Sequence, residues 1–258
     1  MLHLWQTIIL GVIEGLTEFL PISSTGHLIL AGKLLSVPDS DFYKTFEIVI
    51  QLGAIASVVV IYWKFLWGNI KFWPKLIAAF IPTGLIGFFV YPLLKSRLLG
   101  NESVVLWALL IGGIIIIVFE MTWGKKIENA GQEVKNITYP QALLIGLFQS
   151  IAIVPGVSRA AATIIGGLAL KIERRAIVEF SFLLAIPTMV AASGYDLYKS
   201  AHAFSSSQFT TLAIGFVAAF IVAIIAVKGF LKFVQSKSFT SFGIYRIALA
   251  LAFWFLIR

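Results

Sequence analysis

Six stretches of the 258-residue chain run almost without charge: 46–63, 76–94, 103–119, 180–195, 209–227 and 239–257. Each approaches the roughly 20 apolar residues that cross a hydrocarbon core as a helix, with about 17–25 tolerated. Pro82, Pro92 and Pro187 fall inside these runs and predict kinks, which membrane helices tolerate. Two further apolar regions are broken. The first, 2–20, stops at Pro21-Ile22-Ser23-Ser24-Thr25-Gly26 and resumes over 27–35. The second, 139–154, stops at Pro155-Gly156-Val157-Ser158-Arg159 and resumes over 160–170. Each second arm has about ten residues, half of what a crossing needs at 1.5 Å per residue. Both regions therefore predict re-entrant hairpins, whose irregular backbone is allowed at membrane depth only where protein or a water-filled cavity satisfies it. The first arm is not a signal peptide, because it lacks a basic start and carries Glu14 and Glu18.

The two broken regions superpose at a constant offset of 135 residues. Gln6-Thr7-Ile8-Ile9-Leu10-Gly11 falls on Gln141-Ala142-Leu143-Leu144-Ile145-Gly146, Glu14 on Gln149, Ser23 on Ser158 and Ser24 on Arg159. Each copy is followed by three spans. A hairpin returns to its own side and three spans do not, so the second copy must enter from the opposite face. The expectation is an all-α integral membrane protein and a single polytopic domain over 1–258. It comprises an inverted-topology repeat of about 1–122 and 138–258, with six spans, two hairpins and a midplane site where the breaks meet.

Composition agrees with a lipid solvent. Hydrophobic residues make up 59% and charged residues 12%, against about 25% charged in soluble domains, too few to form a solvated shell. The absence of cysteine removes disulfides and thiolate chemistry. The net charge of +8 is carried by loops: twelve Lys and Arg, among them Lys64, Lys125 and Lys171, lie on one side and six, among them Lys33 and Lys95, on the side of the N-terminus. The richer side is expected to be cytoplasmic, leaving both termini outside, and no nucleic-acid partner is expected. Tryptophans near span ends, such as Trp63, Trp107 and Trp254, read as an interfacial belt.

Chemistry concentrates in the breaks. Glu14 and Glu18 stand one helical turn apart. Two acids in an apolar arm are costly and repel unless one is protonated or a cation lies between them, which suits Mg²⁺ or Ca²⁺. An interfacial helix whose acids face water is the plainer alternative. Ser23, Ser24 and Thr25 follow a proline as N-caps do, and free N–H groups beside hydroxyls suit a phosphate. His27 lies three residues past Ser24. In the second break Arg159 offers planar, bidentate phosphate recognition, Gly156 close backbone approach and Ser158 a cap. Together these make an inventory for phosphoryl transfer. Arg246 in the last run either serves the cavity or snorkels, snorkelling being the plainer reading, and Arg174 and Arg175 read as topology determinants.

The segments Glu14-Gly15-Leu16-Thr17-Glu18-Phe19-Leu20-Pro21-Ile22-Ser23-Ser24-Thr25-Gly26-His27 and Pro155-Gly156-Val157-Ser158-Arg159 closely resemble the signatures of the bacterial undecaprenyl-diphosphatases, the bacitracin-resistance family. The resemblance covers the whole chain. It implies an enzyme of the bacterial inner (plasma) membrane that removes the terminal phosphate of undecaprenyl diphosphate, a prenyl diphosphate lipid, and so recycles the carrier for wall polymers. By position it implies that Glu14, Glu18, Ser24, His27 and Arg159 are catalytic, that Glu14 and Glu18 also hold the divalent cation, and that Ser23, Thr25, Gly156, Ser158 and Thr163 contact substrate. One departure stands at Ala160 and Ala161, where the family has Ser-Gly. Phosphatases of the phosphatidic-acid type need a histidine six residues past the arginine, where this chain has Ile165. Ser24 and His27 both stand as nucleophiles at this point, and direct attack by water is a third route. An ion-coupled transporter or flippase is the alternative function, because inverted repeats with broken helices suit transport. The large apolar exterior is compatible with a homodimer.

Overall fold

The structure, a computed structural model, describes residues 2–97, 101–123, 133–199 and 205–257. Among these residues there are helices and turns and no strands. The helices are α1 (Leu4–Thr17), α2 (Ser24–Leu34), α3 (Asp41–Ile61), α4 (Trp63–Gly68), α5 (Trp73–Arg97), α6 (Glu102–Trp123), α7 (Tyr139–Ser150), α8 (Arg159–Ala169), α9 (Arg174–Lys199), α10 (Ser206–Phe233) and α11 (Thr240–Ile257). Short 3-10 turns occupy Ile70–Phe72, Val134–Asn136 and Ile151–Ile153. Of the basic loop residues, Lys125 and Lys126 lie outside the described residues, as does Arg258.

Five helices hold segments long and apolar enough to cross a membrane: Asp41–Ile61, Ile70–Val90, Glu102–Trp123, Arg174–Gly194 and Gln208–Phe233. The chain is thus a multi-pass membrane protein. The sixth expected span, α11, has 18 residues, and its apolar part Thr240–Phe255 groups with the shorter helices. α5 and α9 continue through their prolines.

Both broken regions end their first arm in the same way. Proline lacks an N–H and disfavours a helical residue before it, and each first arm leaves the α-helical form ahead of one: α1 ends at Thr17 before Pro21, and α7 at Ser150 before Pro155. Each second arm restarts at a serine in the left-handed region, Ser23 at φ 73° and Ser158 at φ 75°. Ser23 Oγ accepts from the Gly26 N–H at 3.3 Å, and Ser158 Oγ from the Ala161 N–H at 3.2 Å. α2 and α8 then have 11 residues each. They also stop alike, at Ser36 (φ 51°) and Lys171 (φ 61°). Here Val37 N–H donates to Gly32 O at 2.8 Å and Ile172 N–H to Gly167 O at 3.0 Å, the left-handed cap that satisfies the last carbonyls. First arms start alike too: Gln6 Oε1 accepts from His3 N–H at 2.8 Å, and Gln141 Oε1 from Thr138 N–H at 2.9 Å.

Packing interleaves the two halves. α1 lies against α10, α7 against α5, α3 against both α9 and α10, and α6 against α11. Glycines allow the closest approaches: a Cβ on Gly15 would stand 2.6 Å from Ala219 O, and one on Gly146 would collide with the Ala79 carbonyl. The main core gathers α3, α8 and α9, where Phe180, Phe182, Leu183 and Leu184 of α9 are inaccessible. Outward faces remain apolar, with Phe88, Phe89 and Phe255 largely exposed, as a lipid-facing surface requires.

Candidate active site

Glu18, Ser24 and Arg159 meet where the two breaks face each other. Ser24 Oγ donates to Glu18 Oε2 at 2.5 Å, and Arg159 Nη2 donates to Glu18 Oε1 at 3.2 Å. One carboxylate therefore links the hydroxyl of the first break to the guanidinium of the second, and both members of the ion pair are nearly buried. The restart of each helix after its break places these groups: Ser24 opens α2 and Arg159 opens α8. Arg159 is held from behind. Its Nη1 donates to Ser181 O at 2.8 Å, and its guanidinium lies 5.9 Å from the centre of the Phe19 ring, which packs edge-on against Phe182.

The remaining expected residues divide by distance from this centre. Thr163 does not reach Glu18 directly; its Oγ1 bonds to Arg159 O at 3.0 Å and pairs with Ser181 Oγ at 2.7 Å, so it stiffens the turn that carries the arginine. Ser23 and Ser158 cap α2 and α8 with their side chains. Gly156 sits at φ 91° against Val105 O, where a Cβ would be 2.8 Å away. Thr25 is exposed beside Ser24. His27 turns away. Its Nδ1 shares a hydrogen bond with Ser23 O and its Nε2 with Tyr245 Oη, both at 2.7 Å, and the two rings stack. A carbonyl only accepts, so Nδ1 carries the proton and Nε2 receives the Tyr245 hydroxyl. Neither nitrogen points to Ser24.

Among the described residues four buried side-chain polar atoms make no hydrogen bond, one of them Tyr62 Oη at the end of α3 and the other three on Glu14 and Arg159. Both oxygens of Glu14, which is inaccessible, and Nε of Arg159 lack hydrogen bonds. Unsatisfied buried charges are expensive, and these have opposite signs: the carboxylate calls for a cation and the guanidinium N–H for an anion. The donors fit a hard divalent ion, because Mg²⁺ is commonly held by one or two carboxylates with phosphate oxygens and waters completing its shell. No group of three or more His, Cys, Asp or Glu able to hold a metal occurs among the described residues, so Glu14 and Glu18 would need those oxygens from substrate.

Several contributors are not visible in the motifs. Ser181 is fully buried in the apolar heart of α9, and a lone hydroxyl in such a run is the only signal that could have found it. Arg246 does not snorkel: it is fully buried, and its guanidinium donates to main-chain carbonyls. Snorkelling needs a route to water, and this side chain is enclosed by α6 and both breaks. Arg174 is also more than a topology signal, forming a two-bond pair with Glu120 at 2.6 and 2.7 Å.

Known proteins resemble the chain over nearly its whole length. The family model described as bacitracin resistance protein BacA matches residues 7–252. A protein of Aquifex aeolicus named undecaprenyl-diphosphatase is 51% identical over 249 residues, covering 96% of each chain. One of the same name from Wolinella succinogenes is 50% identical over 254 residues, covering 98% of each. A third, from Persephonella marina, is 49% identical over 248 residues, 96% of each chain.

Proposed function

The chain belongs to the bacitracin resistance protein BacA family, and from that premise we propose that it hydrolyses undecaprenyl diphosphate to undecaprenyl phosphate and inorganic phosphate at the Glu18–Ser24–Arg159 centre. The product lipid returns to cell-wall synthesis. The observation that carries this reading is the presence of buried atoms of opposite character without hydrogen bonds, the Glu14 oxygens and Arg159 Nε, on residues next to a carboxylate, Glu18, that already holds the Ser24 hydroxyl. A cation and a phosphate together satisfy both.

In the proposed sequence the Ser24 hydroxyl gives its proton to Glu18 as Oγ attacks the terminal phosphorus. The bond from phosphorus to the bridging oxygen breaks, and undecaprenyl phosphate leaves with the electron pair. Water then attacks the phosphoserine, and Ser24 regains a proton through Glu18. Arg159, fixed by Ser181 O and Phe19, faces the negative charge that develops on the phosphoryl oxygens. Mg²⁺ or Ca²⁺ held by Glu14 and Glu18 would neutralise diphosphate charge. His27 holds the first break in place through Ser23 and Tyr245, which favours Ser24 over His27 as nucleophile.

We read the architecture as one domain with an inverted repeat. Support comes from the equivalent caps at Ser23 and Ser158 and at Ser36 and Lys171, and from the exchange of partners in which α1 packs on α10 and α7 on α5. The distribution of basic loops supports termini outside the inner membrane.

The test uses purified protein, a prenyl diphosphate and Mg²⁺ or Ca²⁺. Phosphate is released, rapid acid quenching traps phosphoserine at Ser24, and Ser24→Ala abolishes both. Phosphohistidine at His27, or undiminished release by Ser24→Ala, overturns the nucleophile. Substrate binding without release under either metal overturns the enzyme in favour of a transporter.

A further inference from the structure

We propose that Arg246 is a positioning residue that fixes the two helix breaks relative to each other and thereby sets the alignment of Ser24 and Glu18 on Arg159; this rests on the phosphatase reading of that centre. Its guanidinium makes five hydrogen bonds, all to main-chain carbonyls. Nη1 donates to Pro21 O at 3.3 Å and Val157 O at 2.9 Å, Nη2 to Gly156 O at 3.0 Å and Ala108 O at 2.8 Å, and Nε to Leu109 O at 3.3 Å. Five is the full donor count of arginine. Three of these carbonyls belong to the breaks: Pro21 stands three residues before Ser24, and Gly156 and Val157 stand three and two before Arg159. The other two belong to α6, which gives the clamp a fixed base.

The chemistry explains why the residue is an arginine. Carbonyls freed where a helix is interrupted cannot turn to water at membrane depth, and each left unbonded would be costly. One planar fork satisfies carbonyls from both breaks at once, which three tetrahedrally arranged N–H donors of a lysine do not. The space is made for it. A Cβ on Gly112 would collide with Nη2, so glycine at that point of α6 lets the guanidinium lie flat against the helix. The neighbouring residue of α11 works on the same element from another side, since Tyr245 bonds to His27, whose other nitrogen holds Ser23 O. Consecutive residues of the last helix thus grip the first break, and Arg246 alone extends the grip to the second. None of the five carbonyls that Arg246 holds belongs to Ser24, Glu18 or Arg159, so its effect on the reaction passes through backbone.

The chain contains no cysteine, so a pair of labels can be introduced cleanly. Ile29→Cys on α2 and Ile165→Cys on α8 carry spin labels in the otherwise unchanged full-length protein, reconstituted in lipid nanodiscs. The inter-label distance distribution is measured alongside turnover of a prenyl diphosphate with Mg²⁺. Arg246→Lys keeps the charge and loses the fork. The expected result is a broadened or displaced distance distribution and a kcat lower by about 100-fold, the scale of a misalignment near 1 Å, with KM within about three-fold. Gly112→Ala keeps the arginine but displaces it, and is expected to change the same two readouts in the same direction; it carries the test if Arg246→Lys does not fold. A distance distribution equal to that of the parent in both variants overturns the inference, whether or not kcat falls. So does a variant whose only change is a lower unfolding temperature. If the parent protein releases no phosphate while the variants still shift the distance, the phosphatase reading fails and the clamp stands.

Discussion

Glu14 shows how a residue reveals its task by what it lacks. A fully buried carboxyl group with two unbonded oxygens, one turn from Glu18, is costly as a free charge and is relieved by a proton or by a cation. Chelation of divalent ions is therefore expected to stop phosphate release, and Mg²⁺ or Ca²⁺ to restore it. Glu14→Gln is expected to raise the metal concentration needed for half-maximal activity at least about ten-fold, the scale of one lost charged ligand contact; an unchanged metal dependence would remove Glu14 from the ion site. At this scale the sequence was informative for Glu18, Ser24 and Arg159, because charge or hydroxyls inside an apolar break have few other reasons to be there. It was uninformative for the orientation of His27, whose partner Tyr245 lies 218 residues away. It also pointed the wrong way for Arg246: the carbonyls that bind this side chain exist only because two breaks converge on it, and a one-dimensional pattern contains no such convergence.

Among the elements, the ends of α6, α9 and the approach to α11 are joined by one buried ion pair. Arg174 and Glu120 bond twice, Glu120 Oε1 also accepts from Phe239 N–H at 3.0 Å, and the guanidinium stands 5.3 Å from the Phe239 ring centre. Removing one member of such a pair leaves the other charged and enclosed, at a cost of about 3–5 kcal/mol. Glu120→Gln is accordingly expected to lower the thermal unfolding temperature in detergent sharply, while folded protein at low temperature keeps its kcat, because neither residue approaches Ser24. Equal unfolding temperatures for the two proteins would show the pair to be dispensable. The boundaries of the helices were largely legible: Pro21 and Pro155 end the first arms, and serines restart the second. The pair itself was not, since Arg174 among basic loop residues looked like a signal for orientation, and its acid lies 54 positions away.

For the whole molecule, orientation is the property that composition predicts and coordinates alone do not display. Twelve basic loop residues against six predict both termini outside. Alkaline phosphatase fused after Arg258 is expected to be active in cells, and a fluorescent protein at the same point to remain dark; the reverse pattern would invert the assignment. The offset of 135 read from the sequence, from which the turn prolines Pro21 and Pro155 depart by one, also relates the left-handed residues Ser36 and Lys171, which no hydropathy pattern would flag. The length of α11 departs from the expected span, since its apolar part Thr240–Phe255 falls among the shorter helices.

The two halves differ most at one pair of matched positions. Where the first has Glu14, the second has Gln149, whose amide nitrogen donates to Thr83 Oγ1 at 2.9 Å and Thr188 Oγ1 at 3.2 Å. The amide is a finished joint, while the carboxylate is an open socket. The buried carboxylate without hydrogen bonds thus belongs to the first broken region, while the matched position of the second is closed by two hydrogen bonds.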